Sequence, residues 1–180
     1  NLFQTKKNLI FLFLVFIILF ISLLMKKNHD DFQYYHFPYI YHLTQDSLSF
    51  GIGNLNHGFR TASSIFYLNS LFYLPIIKYF LMNSGAAYIL GFSNYILYKN
   101  IKDLIKKNNF NNVLFLSILS IIYINIIFAR IAEHGTDRSA LILILVVVII
   151  YLESLEHRNQ LDFKKINDYY GKIIVILLLI

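Results

Sequence analysis

The sequence predicts an all-α fold: a polytopic transmembrane helical protein with a large first outer loop that carries interfacial helices. Three observations predict it. Apolar residues make up 57% of the 180 residues, and mean hydropathy is +0.57. Charged residues make up only 14%, where soluble domains carry about a quarter. Uncharged stretches recur that are long enough for helices across a hydrocarbon core about 30 Å thick. A disordered chain, a disulfide scaffold and an ordinary cytosolic enzyme are thereby excluded. Cysteine is absent, which removes disulfides, thiolate metal sites and Cys nucleophiles. The formal charge of +6 reports membrane orientation, so the lipid bilayer is the expected partner and nucleic acid is not.

Asn8 to Met25 is the first expected span, uncharged and bracketed by Lys6-Lys7 and Lys26-Lys27. No small-residue cleavage site follows it, which favours an anchor over a signal peptide. Residues 26–79 form the expected outer loop. Its first part, to Arg60, is polar, aromatic and irregular, with Asp30, Asp31, four of the six histidines and a Gly/Asn-rich stretch from Gly51 to Gly58. Long loops of this composition are usually functional.

Thr61 to Tyr98 admits two readings. In one, Ser63 to Tyr79 is an interfacial helix and Phe80 to Tyr98 the second span; in the other, two spans turn at Asn83–Gly85. Further spans are expected at Val113 to Ala129 and Ser139 to Leu155, with an amphipathic interfacial segment from Glu156 to Gly171. The apolar run from Ile173 to Ile180 covers about 12 Å, too little to cross. It reads as a truncated span, so residues 1–180 are expected to be the N-terminal part of a longer chain.

Lysine and arginine set the orientation. With the N-terminus cytoplasmic and one span at Phe80–Tyr98, ten basic residues face the cytoplasm and five face out, as the positive-inside rule requires. The two-span reading works only with the N-terminus outside, at eleven against four. The first arrangement brings Asp30/Asp31 and Glu133/Asp137 to one outer face and lets Lys78 snorkel. The basic loop from Lys99 to Lys107 reads as a cytoplasmic anchor against anionic lipid.

Several residues have the chemistry of a site. Asp30-Asp31, close behind the first span, suits a general base or a divalent ion; a solvated loop start is the bland alternative. Tyr34 to His42 is an aromatic block that suits sugar stacking or simple interfacial anchoring. His36 and His42 lie six apart, out of metal-ligand register on a helix. Gly51-Ile52-Gly53 lacks the third glycine of a dinucleotide fingerprint and reads as a flexible loop. Arg60 suits a phosphate oxygen pair or a lipid headgroup. Glu133, His134, Asp137 and Arg138, with Arg130, crowd a short loop between two spans; a self-satisfied salt-bridged turn is the alternative, and Asp137 also suits a cap for a helix starting near Ser139.

This pattern resembles the N-terminal part of GT-C superfamily membrane glycosyltransferases of the bacterial, polyprenyl-phosphate-sugar-dependent type. The resemblance rests on Asp30-Asp31 after the first span, on Tyr35-His36-Phe37-Pro38, on Gly51 to Leu55, on Arg60 with Ser63-Ser64, and on Glu133 to Asp137. It covers about Asn8 to Leu155. The resemblance implies an inverting enzyme of the bacterial inner membrane that transfers a sugar from a lipid-linked donor to a glycan or lipid acceptor during cell-surface polysaccharide assembly. Asp30 or Asp31 would be catalytic. Arg60, Glu133, His134, Asp137, Arg138, Tyr35 and His36 would bind substrate and phosphate, and a divalent metal ion is optional. The later spans of that superfamily are missing from the pattern. Two other classes compete. A transporter or flippase for lipid-linked sugars would place ionisable residues near the midplane of spans, and the clear spans lack them. A non-catalytic scaffold subunit would tolerate alanine at every acidic position named.

Overall fold

The structure is a computed structural model, and it describes residues 2–25, 30–47, 50–60, 63–127, 136–158 and 163–177. The described chain is all-α, with helices α1 (Leu2–Met25), α2 (Phe37–Gln45), α3 (Ser64–Ser70), α4 (Ser84–Lys106), α5 (Asn112–Ile127), α6 (Thr136–Arg158) and α7 (Phe163–Leu177). Among these residues the β-structure is a single isolated bridge, Leu74 to Lys78. Two compact units are present, Asn1–Gly91 with Arg130–Ser139, and Phe92–Ala129 with Ala140–Ile180. Arg138–Glu156 of α6 is long and apolar enough to cross a membrane, with mean hydropathy 2.3; Asn112–Ile127 is apolar but shorter.

In the first unit, α1 carries large apolar side chains outward, Phe13 and Ile18 among them. Its inward contact is aromatic: Phe16 lies 4.9 Å from the ring of Tyr88, which also meets Phe72 at 4.8 Å. Residues 30–47, expected to be irregular, are mostly helical. A π-helical turn over Phe32–His36 leads into α2, and the core packs Tyr39 and Ile40 of α2 against Ile65 and Phe66 of α3 and Met82.

The helix expected over Ser63–Tyr79 is cut to seven residues, about 10 Å of rise and far short of a bilayer. Beyond Ser70 the chain turns through three-residue bonds, Phe72 N–H to the Asn69 carbonyl at 3.1 Å and Tyr73 N–H to that of Ser70 at 3.2 Å. Pro75, which cannot donate to a helix ladder, lies in the turn closed by the Leu74–Lys78 bridge. The following helix starts at Ser84, where the buried Asn69 side chain accepts from Gly85 N–H at 2.7 Å. That bond satisfies one of the orphan donors of a helix start.

The second unit begins inside α4. Its α4–α5 turn is capped on both sides by asparagine. Asn108 takes the left-handed conformation (φ 51°), with Asn109 N–H bonded to the Leu104 carbonyl and Asn108 N–H to that of Ile105, each at 3.0 Å. Those two bonds form a Schellman stop. Asn111 Oδ1 then accepts from Leu114 N–H at 2.9 Å, the standard N-cap bond. Between the helices, Asn94 and Asn125 exchange two side-chain bonds, and Asn100 donates to Ser117 Oγ at 3.3 Å. α7 runs unbroken through Gly171, joining the expected interfacial segment to the start of the expected last span. The side of Gly171 meets open space, so the glycine weakens the helix locally without a clash to end it.

Candidate functional site

The expected site residues of the first outer loop all fall in the first unit. Asp30 is exposed and Asp31 half-buried, at the head of the helical run. Pro38 explains the geometry that follows. It has no N–H, so the carbonyl four residues back, that of Tyr34, loses its usual helical donor. The ladder upstream opens to π spacing, with Phe37 N–H bonded to the Phe32 carbonyl. Such π turns inside helices concentrate at functional sites.

Asn56 fills the vacancy Pro38 leaves. Its Nδ2 donates to the Tyr34 carbonyl at 3.2 Å, and its Oδ1 accepts from Gly58 N–H at 2.9 Å. The Gly-rich loop is thereby clasped onto the π turn. The clasp needs glycine at 58: a Cβ there would lie 2.3 Å from Cγ of Tyr35. Tyr35 also stands edge-on to His36 at 4.3 Å, and the buried His36 ring lies 5.2 Å from Phe66. One helical turn separates Asp31 from Tyr35, so Asp31 and the clasped loop share a side of the run.

The loop from Gly51 is an ordered set of 3₁₀ turns, where the sequence read as flexible. Gly51 supplies a left-handed φ of 80°, open to glycine at no steric cost. Asn54 N–H bonds the Gly51 carbonyl at 2.9 Å. Arg60 closes the loop: its Nε donates to the Gly53 carbonyl at 3.1 Å, and its stem covers Gly53, where a Cβ would meet Cγ at 2.8 Å. One guanidinium donor thus holds the loop, which leaves the Nη groups for an anion.

The structure does not pair the two histidines of the aromatic block. His42 Nδ1 faces Asp46 Oδ2 at 2.8 Å, while His36 packs among rings. Among the described residues, no three His, Asp or Glu side chains gather as a metal site. Glu133 and His134 lie outside the described residues. The α6 helix starts at Thr136, which puts Asp137 in its first turn instead of at a cap before Ser139. Arg138 is exposed in that turn, and residues 136–139 belong to the same unit as the loop of Asp30 to Arg60.

A domain family described as of unknown function, DUF8201, matches residues 1–180. The chain belongs to that family. No curated protein and no solved structure matches it.

Sequence reasoning missed Asn56 and Asn69, whose side chains tie together segments of the first unit of this DUF8201 chain. The signal for Asn56 was present in Pro38, since a proline inside a helical run leaves a carbonyl that something must satisfy. Chemically, the arrangement presents a carboxylate pair, aromatic faces and a positioned guanidinium on one small framework. Tyr39, beneath it, stays protonated: burial, then its hydrogen bond to Tyr67, pushes its hydroxyl up to about 12.

Proposed function

We propose that the chain is a polytopic membrane protein of glycosyltransferase type, moving a sugar from a polyprenyl-phosphate donor to a hydroxyl acceptor at the outer face of a bacterial inner membrane. The observation that carries the reading is the clasp: Asn56, Gly58 and Tyr35 fix the loop of Arg60 against the helical run headed by Asp30-Asp31, close behind the uncharged Asn8–Met25 run of α1. The outward apolar side chains of α1 and the composition of α6 support the membrane part. The resemblance of the first outer loop supports the reaction.

In this reading Asp31, or Asp30 beside it, takes the proton of the acceptor hydroxyl as its oxygen bonds to the anomeric carbon. The bond from that carbon to the donor phosphate breaks, and the polyprenyl phosphate leaves with the electron pair. The Nη groups of Arg60 meet the departing phosphate, where positive charge counts most. Tyr35 offers a ring face to the sugar. No step requires a metal.

The test uses the full chain in membrane vesicles supplied with a panel of polyprenyl-phosphate-linked sugars. Asp31→Asn or Asp30→Asn abolishes transfer while the folded protein persists; transfer retained in both variants sinks the reading. Cysteine probes at Gln33 and Thr136, labelled in intact cells with an impermeant thiol reagent, test the shared outer face. Labelling of only one position removes the second acidic loop from the site.

A further inference from the structure

The second unit holds a groove of about 740 Å³ between α4, α6 and α7, within the usual range of ligand sites. Its lining changes character along its length. Ile96, Ile149, Ile150, Val175 and Ile176 line it with aliphatic surface, and Lys99, Asn100, Asp103, Glu153, Tyr169 and Lys172 with polar groups. On each helix the polar positions lie to one side of the aliphatic ones, after them in α4 and α6 and before them in α7. Tyr169 donates to Glu153 Oε1 at 2.9 Å, so the polar positions of α6 and α7 gather at one end. A groove polar at one end and aliphatic at the other suits an amphiphile.

The polar end is partly self-satisfied. Lys172 pairs with Asp168 and lies over the Tyr169 ring, 5.2 Å from its centre. Glu153 holds the Tyr169 hydroxyl, whose pKa is raised by burial first and then by Glu153. The α4 wall keeps the rest: Lys99 and Asp103, one helical turn apart, and Asn100 between them. Asn100 is only 8% exposed; it donates to Ser117 Oγ, and its Oδ1, without a partner among the described residues, is closed off from solvent, so the accessible charges of this wall are Lys99 and Asp103.

We propose that this groove binds a zwitterionic lipid whose head carries a primary ammonium next to a phosphate. The ammonium lies at Asp103, the phosphate at Lys99, and an acyl chain runs along the isoleucines. Three carboxylates line the groove against two lysines, which disfavours a purely anionic head. A quaternary ammonium has no N–H to give the exposed Asp103 carboxylate. The assignment is independent of the transfer reaction.

The full chain, purified in detergent and stripped of lipid, is titrated with dioleoyl phosphatidylethanolamine, and bound lipid is counted by native mass spectrometry. One lipid binds, about tenfold more tightly than the choline lipid with the same chains, as loss of a charge-assisted bond predicts. Asp103→Asn removes that preference and Asp103→Glu retains it; Lys99→Met weakens both lipids. Equal affinity for the two lipids in the wild-type protein overturns the proposal, and needs no variant to fold. A preference for phosphatidylglycerol overturns it too, as does a second copy of the chain in place of lipid. Displacement by chain-free phosphoethanolamine at equal concentration overturns the lipid as the source.

Discussion

Asn94 and Asn125 face one another across the α4–α5 contact and exchange two hydrogen bonds, Asn94 Nδ2 to Asn125 Oδ1 at 3.1 Å and Asn125 Nδ2 to Asn94 Oδ1 at 2.6 Å. Asn125 Nδ2 also reaches the Ile121 carbonyl at 2.7 Å. On the membrane reading proposed above, apolar contact gives helices little reason to choose one another, and paired amides set register. Leucine at either position leaves the partner amide half-satisfied. A double-mutant cycle over Asn94→Leu and Asn125→Leu, read by thermal unfolding in detergent, gives a coupling of about 0.5 to 1.5 kcal/mol. Additive single effects would show that the two amides act separately.

Gly58→Ala tests the clasp. The new Cβ would sit 2.3 Å from Cγ of Tyr35, and Tyr35 is hemmed in by His36, so the ring has to shift. Overpacking of this kind costs about 1 to 3 kcal/mol. Asn56→Ala disturbs the same contact from the other side, by freeing the Tyr34 carbonyl and Gly58 N–H. Proteolysis within residues 50–60 becomes faster in both variants, and unchanged cleavage rates in both would show that the clasp does not hold the loop.

The helices were legible in the sequence because their signal is hydropathy and length. α1, α5 and α6 occupy the uncharged runs, extended by a few residues where Leu2–Lys7 or Thr136–Arg138 tolerate a helix. What stayed hidden was set by single side chains. Residues 30–45 are rich in aromatic and histidine residues of modest helix propensity and read as irregular, yet packing on α3 makes them helical. The π turn follows from Pro38 in that context, and neither Asn56 nor Asn69 announces its partner, since those bonds span 22 and 16 residues. The polar end of the groove was equally invisible, because Glu153 and Tyr169 meet only when α6 and α7 pack.

Asn69→Ala removes the acceptor for Gly85 N–H at the start of α4. Asn69 is buried, so the orphaned donor has no water to turn to. Loss of a cap costs about 1 kcal/mol, and a buried unpaired donor up to about 3 kcal/mol. Asn69→Asp keeps an acceptor there and recovers part of the loss. Hydrogen exchange at Gly85 reports the change directly: protection falls in the alanine variant and persists in the aspartate one.

Arg60 separates a structural role from an anion-binding one. Lysine keeps the charge but has no Nε to donate to the Gly53 carbonyl. Arg60→Lys therefore loosens the loop, as read by proteolysis, while retaining part of any phosphate affinity. Arg60→Ala loses both. Identical behaviour of the two variants toward a polyprenyl-phosphate ligand would assign Arg60 to the loop alone.

Tyr39 gives the fold an alkaline limit with a defined sign. Tyr39 is a buried residue whose hydroxyl bonds to Tyr67, and its pKa rises from 10.0 to about 12. Below pH 10 both folded and unfolded chains keep the proton, and the stability is whole. Between about 10 and 12 the unfolded chain releases the proton while the folded one holds it, so stability falls with rising pH. The loss levels off above the folded value. Tyr39→Phe has no proton to lose; it shows a constant offset from the missing bond and none of this slope. Thermal midpoints of the two proteins, followed from pH 8 to 12.5 in one detergent, converge through that window if Tyr39 carries the effect, and run parallel if it does not.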